Sequence, residues 1–130
     1  MAGKLARTHH DLVVYQKAFD TALQIHEVSR SFPQAETYAL TDQIRRSSRS
    51  VCANLAEAWR KRRYQKAFIS KLSDAESEAA ETQVWIEFAV RFDYLDREVA
   101  ATLYRAYDDI LGIIVGMINH PESWVLKRDT

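Results

Sequence analysis

Four histidines, one cysteine and a scatter of carboxylates are the side chains from which a reaction centre would have to be built. Their spacing builds none. A di-iron bundle needs Glu-x-x-His on two facing helices, and no histidine here has Glu three residues before it. His9 and His10 fall in an N-terminal stretch expected to be a flexible arm, which gives a metal no support. His26 lies on the apolar side of the first helix expected here. It reads as a core or rim imidazole holding one hydrogen bond, or as a phosphotransfer histidine. Cys52 has no histidine near it in sequence and reads as a buried, inert thiol. The chain has no Gly-rich phosphate loop and no nucleophile elbow. Asp74, Glu76, Glu78 and Glu81 lack the spacing of a calcium loop. The expectation is a protein without catalytic residues, metal or cofactor.

What the sequence does concentrate is positive charge. Lys+Arg and Asp+Glu both number 18, so the formal net charge is zero. Yet from Ile44 to Lys71 nine Lys or Arg stand against one acid, Glu57, a local +8. From Leu72 to Val99 two Arg stand against eight acids, a local −6. Sorted charge makes local fields that a zero total conceals. Arg45, Arg46, Arg49, Arg60 and Arg63 fall together on the polar side of one helix, with Lys61, Arg62 and Lys66 continuing the charge past its end. Arg predominates, and its planar fork suits phosphate oxygens. From Arg45 to Arg60 the face would run about 22 Å at helical rise. Surface helices usually mix signs at i,i+4 spacing, but Arg45 and Arg49 face each other with no acid between them. The expected chemistry is RNA or DNA backbone binding. The competing expectation is an adaptor whose basic face meets an acidic partner, or an acidic face of another subunit such as Asp74, Glu78 and Glu81.

The aromatic residues extend that reading. Trp59 beside Arg60, and Tyr64 beside Arg63, are placed to stack on unpaired bases. Trp59 equally suits an oligomer interface, where aromatics are enriched, and the interface is the favoured role. Trp85, Phe88 and Phe92 add more aromatic surface than one core stripe takes, so they too are expected at an interface.

These residues have to be carried by helices. Apolar residues recur every three or four positions almost throughout, and no stretch alternates as a strand would. A chain of 130 residues with 47% hydrophobic residues, three Gly and two Pro suits one helical domain. The first helix is expected to start at Asp11, acting as N-cap, with a core stripe of Leu12, Tyr15, Phe19, Ala22, His26 and Ser29. It ends at Pro33, which disfavours helical geometry at Phe32. A second helix, from near Glu36, buries Ile44, Ser47, Ser48, Val51, Leu55 and Ala58. A third buries Phe68, Leu72, Ala75, Ala79, Thr82 and Ile86. The two stripes are out of phase by roughly 100°, which requires a turn between Lys61 and Lys66. After a turn at Asp93 to Asp96, a fourth helix shows Val99, Leu103, Tyr107, Ile110, Ile114 and Met117. Its Gly112 and Gly116 are expected to let another helix approach closely. Four such helices make an all-α, up-down-up-down four-helix bundle. It would occupy residues 11–119, between an arm at 1–10 and a tail at 120–130 in which Trp124 and Val125 dock.

The longest apolar run, Ile110 to Ile118, is nine residues, where a membrane span needs about 20. No signal peptide is evident, and a single cysteine precludes an internal disulfide. A cytoplasmic protein is expected, with no membrane association.

The stretch LTDQIRRSSRSVCANLAEAW, Leu40 to Trp59, resembles the signature of the bacterial four-helix-bundle family of ribosomal-RNA intervening-sequence proteins. Gln43, Arg45, Arg46, Asn54, Ala56 and Glu57 match that signature. DLVVYQKA in the first helix matches a further family feature, with Tyr15 where Trp is common. Cys52 replaces the usual Pro and Ala58 the usual Gly, departures that bear on subunit packing more than on the fold. The family is similar to the accessory variability protein of diversity-generating retroelements, a pentameric barrel that binds nucleic acid and a reverse transcriptase. The resemblance therefore implies a homopentameric ring with an axial channel, and possible binding of RNA or DNA and of a protein such as a reverse transcriptase.

Overall fold

The computed structural model describes residues 5–126. Among them are four long helices and no strand: α1 (Val13–Ser29), α2 (Leu40–Arg60), α3 (Gln65–Arg91) and α4 (Arg97–Asn119). Each packs on its neighbours in sequence and α1 closes against α4, while the diagonal pairs stay apart across the core. This is the up-down-up-down four-helix bundle that the apolar periods require.

The connections follow from local chemistry. A single 3-10 turn, His9–Asp11, precedes α1, capped by Thr8 in a capping box. The Asp11 carboxylate therefore faces backward. It accepts from the Arg7 and Thr8 amides at 2.8 and 3.2 Å, and these bonds hold its pKa below the usual carboxylate range. It does not cap α1, whose N-cap is Leu12 without any side-chain bond. His9 and His10, expected in a flexible arm, belong to this turn, with ring centroids 4.1 Å apart and His9 edge-on to Tyr15.

Glu36 lies in a second 3-10 turn, Gln34–Glu36, and α2 begins four residues after it. One Glu36 oxygen accepts from the Leu40 amide at 3.4 Å. The other accepts from the Tyr94 hydroxyl at 2.9 Å, so one carboxylate ties the start of α2 to the α3–α4 turn. The α2–α3 turn falls at Lys61–Tyr64, where the phase shift demanded it. At the end of α3, the Tyr94 amide bonds back to the Ala89 carbonyl and the Asp93 amide to that of Val90. This is a Schellman ending, and it forces Asp93 to φ 62°.

The buried stripes of α2 and α3 are those expected, extended in α2 by Leu40, Thr41, Cys52 and Trp59 and in α3 by Gln83 and Ala89. On α4, Ala100 takes the core position expected of Val99, which is exposed. The expectation for α1 is wrong in phase. Leu12 and Ser29 are buried as expected, but between them Val14, Ala18, Thr21 and Ile25 face the core, while Phe19 and His26 are exposed. The helix carries two apolar stripes, and the bundle buries the one richer in small side chains, which lets the helix axes approach. Gly112 and Gly116 face outward, and a methyl added at either meets nothing within 4 Å; no helix of this chain packs on them.

Polar pins set the register between helices. Thr82 donates to Ser47 at 2.8 Å between α3 and α2. The Gln83 amide donates to Asp108 at 2.9 Å and to the Tyr104 carbonyl at 3.2 Å between α3 and α4.

Candidate nucleic-acid interface

The basic segment is carried by the outer edge of α2 and by the turn after it, and the bundle treats its two parts differently. On α2, the arginines reach sideways to neighbouring helices. The Arg45 guanidinium donates from Nε to Ser29 Oγ on α1 at 2.7 Å. Arg49 Nη2 lies 3.1 Å from His26 Nδ1, also on α1. Arg46 turns the other way, to Glu81 at 3.3 Å and Glu78 at 4.0 Å on α3, with Gln43 Oε1 at 3.4 Å. The expected single basic face is thus split, because each long side chain finds a partner across a helix interface. An open cleft of about 460 Å³ remains among Thr41, Asp42, Arg45, Arg46, Arg49 and Ser50.

Glu78 is the strained member of this arrangement. Its Oε2 is buried without a donor, and burial, then the neighbouring Glu81, raise its pKa despite Arg46. Farther along α3, Lys71 bridges Glu57 at 2.9 Å and Asp74 at 3.6 Å. Lys71 is thereby neutralised, and its own pKa is raised chiefly by the Glu57 bond. Asn54 bonds within its own helix, to the Ser50 carbonyl at 2.9 Å.

At the turn, Arg60 as the last residue of α2, Lys61 and Arg63 in the turn itself, and Lys66 on the first turn of α3 are exposed, and among the described residues none of them forms an ion pair. Arg62 is different. Its guanidinium carbon sits 3.4 Å from the Trp59 ring centroid, and its Nε donates to the Trp59 carbonyl at 2.8 Å. Partial burial, then Arg60, lower its pKa from the arginine range. The Arg62 carbonyl accepts the Leu126 amide at 2.9 Å, while Trp124 and Val125 pack on the core. The tail therefore docks and braces the turn from beneath.

Trp59 is buried, at 5% exposure, under Arg62. It has no face left to anchor a neighbouring subunit or a base, which corrects the role expected of it. Trp85, Phe88 and Phe92 do reach the surface. Their rings form a ladder along α3, with centroids 6.0 and 5.8 Å apart, continuing to Tyr94 at 5.6 Å. Cys52 is buried and burial pushes its thiol up to about 11, the state of an inert cysteine at neutral pH. Among the described residues no group of three His, Cys, Asp or Glu side chains is arranged to hold a metal ion.

Sequence reasoning missed the partners of Arg46, because Glu78 and Glu81 lie more than 30 residues away and pair with it only through the α2–α3 hairpin. The Arg62–Trp59 stack carried a signal, since i,i+3 positions on a helix are neighbours.

A four-helix bundle with a basic edge is the class of protein that the fold and the site define. Residues 10–116 match the family described as 23S rRNA-intervening sequence protein, and the chain belongs to that family. It is also similar to a solved structure of a protein of unknown function from the S23 ribosomal protein family of Bacteroides thetaiotaomicron VPI-5482. That likeness has a TM-score of 0.75 at 29% identity and covers 82% of this chain and 96% of the other. No curated protein matches the chain.

Proposed function

We propose that this protein is a non-enzymatic nucleic-acid-binding module of the cytoplasm that acts as a homo-oligomer, a pentamer by family resemblance. The observation that carries the reading is the α2–α3 turn. Arg60, Lys61, Arg63 and Lys66 are exposed cations that form no ion pair among the described residues, on and beside a turn braced by Arg62, Trp59 and the docked tail. Such a cluster has few internal bonds to break before it takes up phosphate oxygens. Arg45 and Arg49 add a weaker extension along α2, since each must share its guanidinium with Ser29 or His26. Arg46 contributes least, being committed to Glu78 and Glu81.

Binding of this kind draws its free energy from counterion release, discriminates little between sequences and falls steeply with salt. Fluorescence anisotropy of labelled RNA and DNA against the purified protein, from low to physiological salt, tests it. Binding that weakens linearly in log salt supports the proposal. Absence of binding at low salt removes it and leaves the basic turn to an acidic protein partner. A partner such as a reverse transcriptase belongs to that second reading and rests on the family resemblance alone.

A further inference from the structure

Beside the basic turn, the His9–Asp11 turn lays a pair of imidazole rings against the end of α2. Their centroids are 4.1 Å apart and their planes are inclined by 32°, close to a stacked pair. Both rings stand edge-on to Tyr15, at 4.7 and 5.5 Å. His10 is exposed. His9 is half-buried and lines an open cleft of about 430 Å³ with Ala56, Glu57, Arg60 and Lys61. Phosphate binding by Arg60 and Lys61 gives these rings no role.

The turn holds its rings in place. Thr8 Oγ1 accepts from the His10 amide at 3.2 Å and lies 3.4 Å from His10 Nδ1. The His10 carbonyl accepts from Gln16 Nε2 on α1 at 2.8 Å. Both nearby acids are engaged elsewhere. Asp11 accepts from the Arg7 and Thr8 amides, and Glu57 is bridged by Lys71 at 2.9 Å. Arg60 and Lys61 form no ion pair among the described residues. Burial, then the neighbouring His10, lower the pKa of His9. Its ring is therefore mainly neutral at pH 7 and offers a flat face in place of a charge.

Cations suited to phosphates and rings suited to bases thus share one cleft. Proteins hold single strands by that pairing, a basic track for the backbone and side-chain rings, imidazole included, on which unpaired bases stack. A duplex presents phosphates as well as a single strand does, but its base faces stay covered by neighbouring pairs. We infer that the cleft between the His9–Asp11 turn and α2 is a base-binding site. An unpaired nucleobase stacks there on the imidazole pair while Arg60 and Lys61 hold the phosphates that flank it. The ligand class is single-stranded nucleic acid. The stacking role that buried Trp59 cannot fill falls to rings near the other end of the sequence. The inference rests on the nucleic-acid reading of the α2–α3 turn and adds which strand state is bound.

The test measures anisotropy at one fixed salt with labelled RNA and DNA single strands of one sequence. An abasic strand and a duplex carrying the same number of phosphates are run beside them. The wild type should bind the single strands about tenfold more tightly than the abasic strand or the duplex. In NMR spectra the His9 and His10 ring protons should move upfield as a base stacks on them. His9→Ala/His10→Ala should bind single strands about tenfold more weakly, with duplex binding unchanged, and His9→Phe/His10→Phe should restore the affinity. Circular dichroism melts establish that each variant is folded, and the abasic and NMR comparisons need no variant. Rings read base faces and not the sugar, so RNA and DNA should show the same dependence; dependence in one alone assigns the site to that strand. An abasic strand bound as tightly as a normal one, or a folded Ala variant with wild-type single-strand affinity, overturns the base site while the phosphate reading stands. Equal losses on single strand and duplex overturn it too, since they assign the histidines to the turn's fold or charge. A wild type that binds no nucleic acid at low salt overturns both.

Discussion

The first half of α2 and the turn that follows it are built from the same residue type, and the bundle makes them different surfaces. Arg45, Arg46 and Arg49 sit on a helix flanked by two others, so each guanidinium finds an oxygen or a ring nitrogen on α1 or α3. Arg60, Lys61, Arg63 and Lys66 sit at the end of the hairpin. The His9 turn and the C-terminal tail lie nearby, yet none of the four forms an ion pair among the described residues and all stay exposed. Charge counted in a sequence is therefore not charge available to a ligand. What decides is whether a long side chain meets a neighbour before it meets solvent.

The largest effect should come from the turn. Replacing Arg60, Lys61, Arg63 and Lys66 together with Ala should lower the slope of log affinity against log salt by roughly three to four, and weaken binding at physiological salt by about 100-fold or more. Arg45→Ala with Arg49→Ala should lower the same slope by no more than about two, with a loss near tenfold. Equal losses from the two variants would erase the distinction between helix and turn.

A smaller effect is expected in stability. Arg62→Ala removes the stack on Trp59 and the bond to its carbonyl, which together contribute about 1 to 2 kcal/mol. Thermal melts should show a fall of roughly 3 to 6 °C. Arg62→Lys should recover little of it, because an ammonium has no planar face to lay on the ring.

The smallest effect tests the strain at the paired end. Glu78 has a raised folded-state pKa, so its protonated form is the one the bundle favours. That contribution to stability is fully present below the ordinary carboxylate range and is lost as pH rises through the raised value. Glu78→Gln should therefore stabilise the protein slightly at neutral pH, and the gain should vanish in urea melts as pH falls below the ordinary carboxylate range. A gain that persists unchanged in acid would mean that Glu78 is not the group responsible.

Much of the bundle was legible because α2 and α3 each have one dominant stripe, and the rotation between Ala58 and Phe68 admits only a turn near Arg62. The phase of α1 was not legible. Tyr15 and Phe19 outweigh Ala18 and Thr21 in apolar size, so periodicity selects the outer stripe; close packing prefers the smaller residues. The candidate interface was legible as composition and illegible as geometry. Nothing local to Arg46 announces Glu78 and Glu81. Nothing local to Trp59 tells an interface anchor from a core residue, although Arg62 one turn later was a cue to burial.

The central claim is that the turn, more than the helix before it, is the phosphate-reading surface. Its most direct test is the salt dependence of RNA binding by anisotropy, with the fourfold turn variant and the Arg45→Ala/Arg49→Ala variant run beside the wild type at matched helicity and mass. The account predicts that the turn variant loses most of the wild-type slope and the helix variant keeps most of it. A turn variant with the wild-type slope would contradict it.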